Sequence, residues 1–358
     1  MMAPSAGPSG QPGAGADGAL AVLRRRLLTH GALAAAAALW LIGLPLWLAL
    51  ALLGDLARAL GGDRRLALTR ALLVFGLVIA AEGAGLALSY GASLWRLARP
   101  VPEARWISFH YWLQRTWGDA LVRGAFWLYG VRLEVEGAEL LDGRPVLLFM
   151  RHTSVADGVL LLKFVNVDRG YRLRYVVKRE LLSDPCLDVV GHRIPNVFVR
   201  REGGDASAEV ARVEALARGL GTGEGLMLFP EGTRFTPARQ ARALERLAER
   251  GPPELVPLGA RLRHGLPPRP GGPLGAMRGA PGADVILAAH VGLEGVTRLP
   301  SFVGGDLVGG TLRLRFWRFP AAELPAGDEA RYRWLFERWV EVDGWVHAQL
   351  GGGDQAEG

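Results

Sequence analysis

Two residues whose side chains can move a proton, His152 and Asp157, stand directly after the apolar run Val146–Met150. The run has the length and composition of a buried strand, and a polar turn separates it from the next apolar-periodic segment. In a continuous helix, side chains five residues apart diverge by about 140°. With His152 in the turn and Asp157 in the first turn of a helix, the two side chains can meet.

A histidine held by a carboxylate can act as a general base. The N-terminus of a helix favours the Asp157 carboxylate, which can bind one imidazole nitrogen while the other takes a proton from a substrate hydroxyl. An isolated pair of this kind is more often structural, with the aspartate capping its helix. The pair alone therefore leaves both interpretations open.

A second polar cluster favours the catalytic interpretation. Residues 229–234 read Phe-Pro-Glu-Gly-Thr-Arg and follow the apolar residues 226–228. The two clusters thus follow two predicted strands, and open α/β sheets place their functional sites at the carboxyl ends of strands. We expect both clusters at one edge of a sheet.

Together these motifs resemble those of glycerolipid acyltransferases of the 1-acylglycerol-3-phosphate (lysophosphatidic acid) acyltransferase type, which carry His-x4-Asp and Glu-Gly-Thr-Arg. Three further blocks resemble the family pattern in the same order: residues 178–181 with Pro185, residues 197–201, and residues 266–269 in a Pro/Gly-rich loop. The resemblance covers roughly residues 105–348. Arg151 departs from the asparagine that is common before the histidine.

The resemblance implies acyl transfer from acyl-CoA or acyl-ACP to the free hydroxyl of 1-acylglycerol-3-phosphate, which forms phosphatidic acid in phospholipid biosynthesis. His152 would be the general base, oriented by Asp157. The alternatives are another lysophospholipid or lipid alcohol as acceptor, or a non-catalytic membrane lipid-binding protein. Direct attack by the acceptor is favoured, because the sequence has no Gly-x-Ser-x-Gly elbow and Cys186 has no basic neighbour within two positions.

The same resemblance suggests the residues that bind substrate. These are Lys178, Arg200, Arg201, Glu231, Gly232, Thr233 and Arg234. The lysine and arginine side chains among them would bind a phosphate monoester, and Glu231 would bind the glycerol hydroxyls. We expect no cofactor and no metal, since the single cysteine excludes a cysteine-based zinc site and a disulfide framework. We interpret His192, His264 and His290 as structural.

Strand-like and helix-like segments alternate after residue 130, which predicts an α/β fold with a mostly parallel central sheet flanked by helices. The predicted strands are 146–150, 174–177, 196–200, 226–229, 254–258, 284–290 and 311–319. The predicted helices are 157–165, 206–218, 237–250 and 328–350. Residues 263–281 hold five prolines and five glycines, and we expect a mobile lid or an insertion there.

The N-terminal part has the composition of a membrane anchor. Residues 31–54 carry no charge and residues 71–95 carry only Glu82, so each stretch could span a bilayer core of about 30 Å. A spanning two-helix hairpin is the leading interpretation, and a shallow hairpin in one leaflet is the alternative. For a spanning hairpin, seven arginines in the flanks against four in the loop favour a catalytic domain on the cytoplasmic face of an integral membrane protein.

The expected domains are a disordered tail (1–18), a membrane anchor (19–100), an acyltransferase domain (101–350) and a second disordered tail (351–358). Residues 105–130 are rich in aromatics and arginines, which suits a helix at the membrane interface, a helix packed on the sheet, or both on different faces. The pI of about 10.1 comes from scattered arginines, which favours membrane lipids as partners and not nucleic acid.

Overall fold

The computed structural model describes residues 18–154, 156–199, 205–294 and 299–351. The two predicted disordered tails lie outside these residues, except for Gly18 and Gly351. Arg200 and Arg201, which the sequence assigns to phosphate binding, also lie outside them.

The domain is built on a seven-stranded sheet that is parallel at every pairing except one, which confirms the predicted fold class. The order across the sheet is β1-β7-β6-β2-β5-β3-β4, and β7 runs antiparallel to β6. The strands are β1 (Arg132–Glu136), β2 (Val146–Met150), β3 (Arg172–Lys178), β4 (Val197–Val199), β5 (Glu224–Leu228), β6 (Asp284–Val291) and β7 (Thr311–Phe319).

Eleven α-helices are described around this sheet. They are α1 (Ala19–Leu60), α2 (Ala67–Ala98), α3 (Glu103–Tyr129), α4 (Asp157–Leu161), α5 (Pro185–Val190), α6 (Ala206–Ala217), α7 (Pro237–Arg250), α8 (Val256–Gly259), α9 (Gly271–Gly279), α10 (Leu299–Gly304) and α11 (Asp328–Gly351). The helix that begins at Asp157 continues beyond α4 as a π-helical turn, Leu162–Val167.

Helices cover both faces of the sheet, and each face has its own core. On one face, inward side chains of β2, β5 and β6 pack against α6, α9 and α11, with Trp339 among the fully buried residues. On the other face, Leu148 and Met150 of β2 pack with α3, α4 and the π-helical turn. The strand β2 is buried on both faces, which explains its unbroken apolar run.

The structure differs from the elements expected from the sequence in three places. Strand β1 was not predicted, because its alternating residues lie at an exposed sheet edge. Residues 254–258, predicted as a strand, form the end of a 3₁₀ turn and α8. The supposed lid at 263–281 contains α9, where an added Cβ at Gly279 would lie 2.2 Å from the carbonyl oxygen of Glu214 on α6. The glycines in this segment permit close helix packing.

The N-terminal helices α1 and α2 form the predicted hairpin, and both are long and apolar enough to cross a membrane. In the hairpin, the buried Asp55 of α1 accepts hydrogen bonds from the backbone N–H groups of Leu68 and Thr69, at 3.0 and 2.9 Å. This carboxylate caps the first turn of α2. No residue in the apolar 18-residue window of α1 is buried, whereas 28% of the corresponding window of α2 is buried, so α1 has the larger share of apolar surface left for lipid.

The first turns of α1 are attached to the catalytic domain through Asp188 of α5, whose side chain is fully buried. Arg25 Nη2 lies 2.9 Å from Asp188 Oδ1, and Arg26 Nε lies 3.2 Å from Oδ2. In the middle of α2, Glu82 accepts hydrogen bonds from Trp117 Nε1 at 3.1 Å and from the backbone N–H of Cys186 at 3.0 Å. Glu82 therefore faces the catalytic domain.

The loop end of the hairpin is attached to the same domain. Arg58 donates to the carbonyl oxygens of Val303 and Gly304, both at 3.0 Å, and Arg65 donates to Gly305 at 3.4 Å. One α/β domain therefore contacts both ends of the hairpin.

The aromatic segment forms α3, and its two faces differ as expected. His110, Tyr111 and Leu113 are buried, whereas the Trp112 and Trp127 side chains are 51% and 81% exposed. Helix α3 thus packs on the domain with one face and presents tryptophans on the other.

Candidate active site

The structure brings His152 and Asp157 together at the carboxyl end of β2. His152 Nδ1 lies 2.8 Å from Asp157 Oδ2. The histidine lies in the turn after the strand, and the aspartate is the first residue of α4. The Asp157 side chain is fully buried, whereas His152 keeps 15% of its side chain exposed. One member of the pair is thus fixed inside the protein and the other can reach a substrate.

The Asp157 carboxylate is saturated with hydrogen bonds. Oδ2 also accepts from the backbone N–H of Thr153 at 2.7 Å, and Ser154 N–H lies 3.0 Å from both oxygens. Burial would raise the pKa of this carboxyl, but the charge of His290 and the hydrogen bonds from both histidines outweigh burial and hold the pKa well below its usual range. Asp157 is therefore a carboxylate at neutral pH.

His290, which the sequence gave no reason to include, binds the other oxygen of Asp157. Its Nε2 donates to Oδ1 at 2.8 Å, and its side chain is 1% exposed. The interpretation of His290 as structural did not foresee this contact with the carboxylate of the pair. No local pattern could have found it, because His290 follows Asp157 by 133 positions and lies inside the apolar run of β6.

Glu231 joins the His152 turn to the loop at Leu266 by two hydrogen bonds. Oε2 accepts from the backbone N–H of His152 at 3.2 Å, and Oε1 accepts from that of Leu266 at 3.1 Å. Burial raises the pKa of the Glu231 carboxyl to about 8, against the charge of Arg151 and these hydrogen bonds. Glu231 is 1% exposed, so these hydrogen bonds hold the two loops together, and the binding of glycerol hydroxyls by Glu231 stays a prediction.

Arg151, where the sequence departs from the family pattern, is buried and links two backbone segments through its guanidinium group. Its Nε and Nη2 donate to the carbonyl oxygen of His264 at 2.9 and 2.6 Å, and its Nη1 donates to that of His290 at 3.2 Å. Asp343 accepts from the backbone N–H groups of Arg263 and His264. The first residues of the supposed lid are thus held firmly beside the site.

The aromatic ring of Phe229 stacks on the His152 imidazole, with ring centroids 4.0 Å apart. Gly232 follows in a turn with φ of +69°, and its backbone N–H donates to the Phe229 carbonyl at 3.0 Å. A Cβ there would lie 3.1 Å from the Arg269 side chain, so both the turn and the close approach require glycine. This turn holds Phe229, which directly follows β5, against the histidine.

Two cavities meet at this edge of the sheet. The first, of about 510 Å³, has His152 on its wall and is lined mainly by apolar side chains, including Val159, Leu162, Val213 and Met227. The second, of about 1120 Å³, is a strongly basic cleft between α7 and the loop 266–270. Lys178 and Arg269 line both cavities and mark their junction.

The predicted substrate-binding residues fall into different places. Lys178 stands at the junction of the two cavities, Gly232 lines the apolar cavity, and Thr233 lines the basic cleft. Arg234 lines neither cavity, and its carbonyl oxygen accepts from Arg239 Nη1 at 3.1 Å. Among the described residues, no group of histidine, cysteine and acidic side chains could hold a metal ion.

Cys186 is buried in α5, in contact with α2 and α3. Burial raises the pKa of its thiol, and the charges of Glu82 and Asp184 raise it further. A thiol that resists ionisation is a poor nucleophile. This agrees with the sequence-based interpretation of Cys186 as structural.

Comparison with known proteins gives a family match and a structural likeness. No curated protein matches the chain. The crystal structure of the 1-acyl-sn-glycerophosphate (LPA) acyltransferase PlsC from Thermotoga maritima is similar with a TM-score of 0.47 and 17% sequence identity, over 76% of this chain and 97% of that chain. The family model described as Acyltransferase matches residues 132–261, which include β2, the His152 turn and the Glu231 turn. Residues 132–261 therefore match the acyltransferase family that the His-x4-Asp and Glu-Gly-Thr-Arg motifs predict.

Proposed function

We propose that the protein transfers an acyl group from acyl-CoA or acyl-ACP to the free hydroxyl of 1-acylglycerol-3-phosphate and forms phosphatidic acid. The observation that carries the proposal is the His152–Asp157 pair, with Nδ1 and Oδ2 2.8 Å apart, at the mouth of an apolar cavity. A proton acceptor beside space for a hydrocarbon chain is what acyl transfer to a lipid alcohol requires.

In this mechanism, Asp157 holds the proton on His152 Nδ1, so Nε2 takes the proton of the acceptor hydroxyl. The hydroxyl oxygen attacks the thioester carbonyl carbon, and a tetrahedral intermediate forms. When the intermediate collapses, the carbon–sulfur bond breaks and the imidazolium returns its proton to the departing thiolate. The products are an ester and a free thiol. No covalent acyl-enzyme is needed, in keeping with the buried Cys186 thiol.

The acyl chain that is transferred fits the apolar cavity. Side chains of α4, α6, β3 and β5 line it, and His152 stands on its wall. Burial of methylene groups in such a cavity stabilises the bound chain by about 0.8 kcal/mol each. The phosphate of the acceptor would then lie near the junction, where Lys178 and Arg269 converge.

The protein would lie in one leaflet of the membrane, with the catalytic domain on the cytoplasmic face where the thioesters are. The unburied apolar surface of α1 and the exposed Trp112 and Trp127 of α3 support this placement. The domain contacts of Arg58 and Arg65 in the hairpin loop support a shallow position as well. A domain boundary near residue 100, between anchor and acyltransferase domain, remains part of the proposal.

An assay of the purified protein in nanodiscs against a panel of lysolipids, with acyl-CoA and acyl-ACP as donors, tests the proposal. Preferential acylation of 1-acylglycerol-3-phosphate is the expected result. Preference for another lysophospholipid or lipid alcohol would replace the acceptor while retaining the chemistry. No transfer with any pair, together with retained lipid binding, would favour the non-catalytic alternative.

A further inference from the structure

The basic cleft beside the active site has a wall of arginines that the proposed acceptor does not account for. Helix α7 contributes four arginines at spacings of three, four and four residues, which places them on one face. They are Arg239, Arg242, Arg246 and Arg250, and Arg269 faces them from the loop after Pro268. A whole helix face of this cleft is thus cationic.

These five arginines have no acidic partners within the described residues. None of them lies within 4.0 Å of a carboxylate oxygen there, although the same helix carries Glu245 and Glu249. Seven cationic and two acidic side chains of the described chain line the cleft, and one of the two carboxylates, Glu231, is engaged by backbone N–H groups. Burial and then the charge of Arg246 lower the pKa of Arg269. The cleft therefore has the charge of a binding site for an anionic ligand, and that anion is not supplied by the described chain.

The extent of the arginine face exceeds what one phosphate can use. From Arg239 to Arg250 the helix rises about 17 Å, at 1.5 Å per residue. A single phosphate monoester carries up to about two negative charges at neutral pH and contacts one or two arginines. The ligand of the cleft must therefore be longer than one phosphate monoester and must carry several negative charges.

The position of the cleft separates it from the membrane side. None of its lining residues belongs to α1, α2 or α3, whereas Gln114 and Trp117 of α3 line the apolar cavity. A lipid acceptor arrives from the membrane side, and a water-soluble donor arrives from the opposite one. Since Lys178 and Arg269 line both cavities, a molecule can have its acyl chain in one and its charged end in the other.

We propose that the arginine face of α7 binds the 3′-phosphate and pyrophosphate of a coenzyme A thioester. This assignment rests on the proposed function and makes CoA the donor. The acyl chain occupies the apolar cavity, the thioester carbonyl lies beside His152, and the pantetheine arm passes Lys178 and Arg269. The single phosphate of the acceptor then binds at the junction of the two cavities.

Donor selectivity tests the assignment. Arg242→Gln, Arg246→Gln and the double variant are compared with Arg261→Gln, which removes one exposed arginine outside the cleft. Each receives palmitoyl-CoA or palmitoyl-N-acetylcysteamine, which offers the same thioester without phosphates. The ratio of kcat/KM for the CoA donor to that for the truncated donor should fall at least about tenfold in each single variant and further in the double variant. It should stay constant in Arg261→Gln.

Three results would overturn the assignment. One is an unchanged ratio in the double variant, and another is a rise in the acceptor's KM with the CoA donor's KM unchanged. The third is a loss confined to acyl-ACP, which would make the arginine face a protein-docking surface. Arg246→Lys keeps the charge and should retain most of the ratio, so it distinguishes charge from fold, together with melting curves.

Binding measurements distinguish failure of the cleft assignment from failure of the proposed function. Adenosine 3′,5′-bisphosphate is titrated calorimetrically into His152→Ala and into His152→Ala/Arg242→Gln/Arg246→Gln, both full-length in nanodiscs. Binding should weaken at least about tenfold in the triple variant. If binding weakens in the triple variant while the wild type acylates no lysolipid, the assignment of the cleft is supported and the proposed function is wrong. If acylation proceeds but both proteins bind the nucleotide equally, the cleft assignment fails and the function stands.

Discussion

His290 Nε2 donates a 2.8 Å hydrogen bond to Asp157 Oδ1, on the opposite side of the carboxylate from His152. The aspartate is thus shared between two imidazoles. His290 Nδ1 is buried and has no hydrogen-bond partner among the described residues, so Nε2 must carry the proton that Asp157 accepts. His290 therefore competes with His152 for the negative charge of the carboxylate.

Removal of this second donor should change the basicity of His152. In His290→Leu, Asp157 would bind the protonated form of His152 more strongly, so the acid limb of the kcat/KM profile should move to higher pH. The shift should be up to about one unit, since about 1.4 kcal/mol of differential interaction corresponds to one unit. A pH profile of kcat/KM measures it. His290→Gln keeps an amide donor and should return the limb toward its original position.

If His290→Leu has a lower melting temperature but an unchanged pH profile of kcat/KM, His290 is a packing residue only. Thr153 Oγ1 lies 3.4 Å from His290 Nε2, so Thr153→Val serves as a matched control within the same cluster. It alters the surroundings of His290 without removing the donor to Asp157 and should leave the acid limb in place.

The sequence could predict the part of the site that is local. Apolar residues 146–150, the turn and the first helical residue Asp157 are contiguous, and the local pattern determines how they fold. Contacts between distant residues carry no such pattern. His290 on Asp157, and Arg151 on the carbonyl of His264, depend on how strands 2 and 6 pair and where the loop after residue 262 lies.

Stability should depend on the protonation of Glu231. With a folded pKa of about 8 against an ordinary value of 4.5, the native state holds a proton that the unfolded chain has released. Stability should therefore fall as pH rises from about 4.5 to about 8, by at most about 1.4 kcal/mol per unit, and level off above. Unfolding in detergent across this range measures the slope.

The matched variant for this effect is Glu231→Gln, which cannot titrate. Its unfolding free energy should lack the slope that wild type shows, although its amide nitrogen would face a backbone N–H and lower the stability throughout. Equal slopes in both proteins would assign the pH dependence to other groups.

The contact between α2 and α5 leaves no room for a side chain at Gly85. An added Cβ would lie 2.5 Å from Cys186 Sγ, with its next neighbour at 3.7 Å. Gly85→Ala should therefore destabilise the protein by about 1 to 3 kcal/mol, as overpacking does. Adding Cys186→Ala removes the clashing sulfur and should restore most of the loss. Melting temperatures of the single and double variants give the coupling, and additive losses would contradict this docking of the anchor.

Composition alone does not reveal two other features of the structure, for physical reasons. The glycines and prolines of residues 263–281 suggested a loop, yet Gly275 and Gly279 let α9 approach α6 closely, with Val210 and Glu214 on the facing helix. Two long apolar stretches suggested membrane crossing, but apolarity does not reveal that the hairpin loop binds residues 303–305 of the domain. Both outcomes depend on tertiary packing.

The shallow hairpin can be tested by chemical labelling. Cysteines are placed singly at Arg64, in the hairpin loop, and at Ala238, on exposed α7, in a Cys186→Ala background. Both positions should resist an impermeant thiol reagent in intact cells and react after permeabilisation, because both lie on the cytoplasmic side. Labelling of position 64 alone in intact cells would restore the spanning hairpin, and labelling of both would place the domain outside.

Coupling between His152 and Asp157 tests the mechanism most directly. If His152 removes the hydroxyl proton, His152→Ala should lower kcat/KM by at least about 10² to 10⁴-fold. Asp157 acts only through that imidazole, so Asp157→Asn should be severe alone and nearly silent when His152 is already alanine. A double-mutant cycle on kcat/KM in nanodiscs, with a melting curve for each variant, measures the coupling. Additive losses would separate the two roles, retained activity in His152→Ala would remove the base, and parallel falls in melting temperature would make both residues structural.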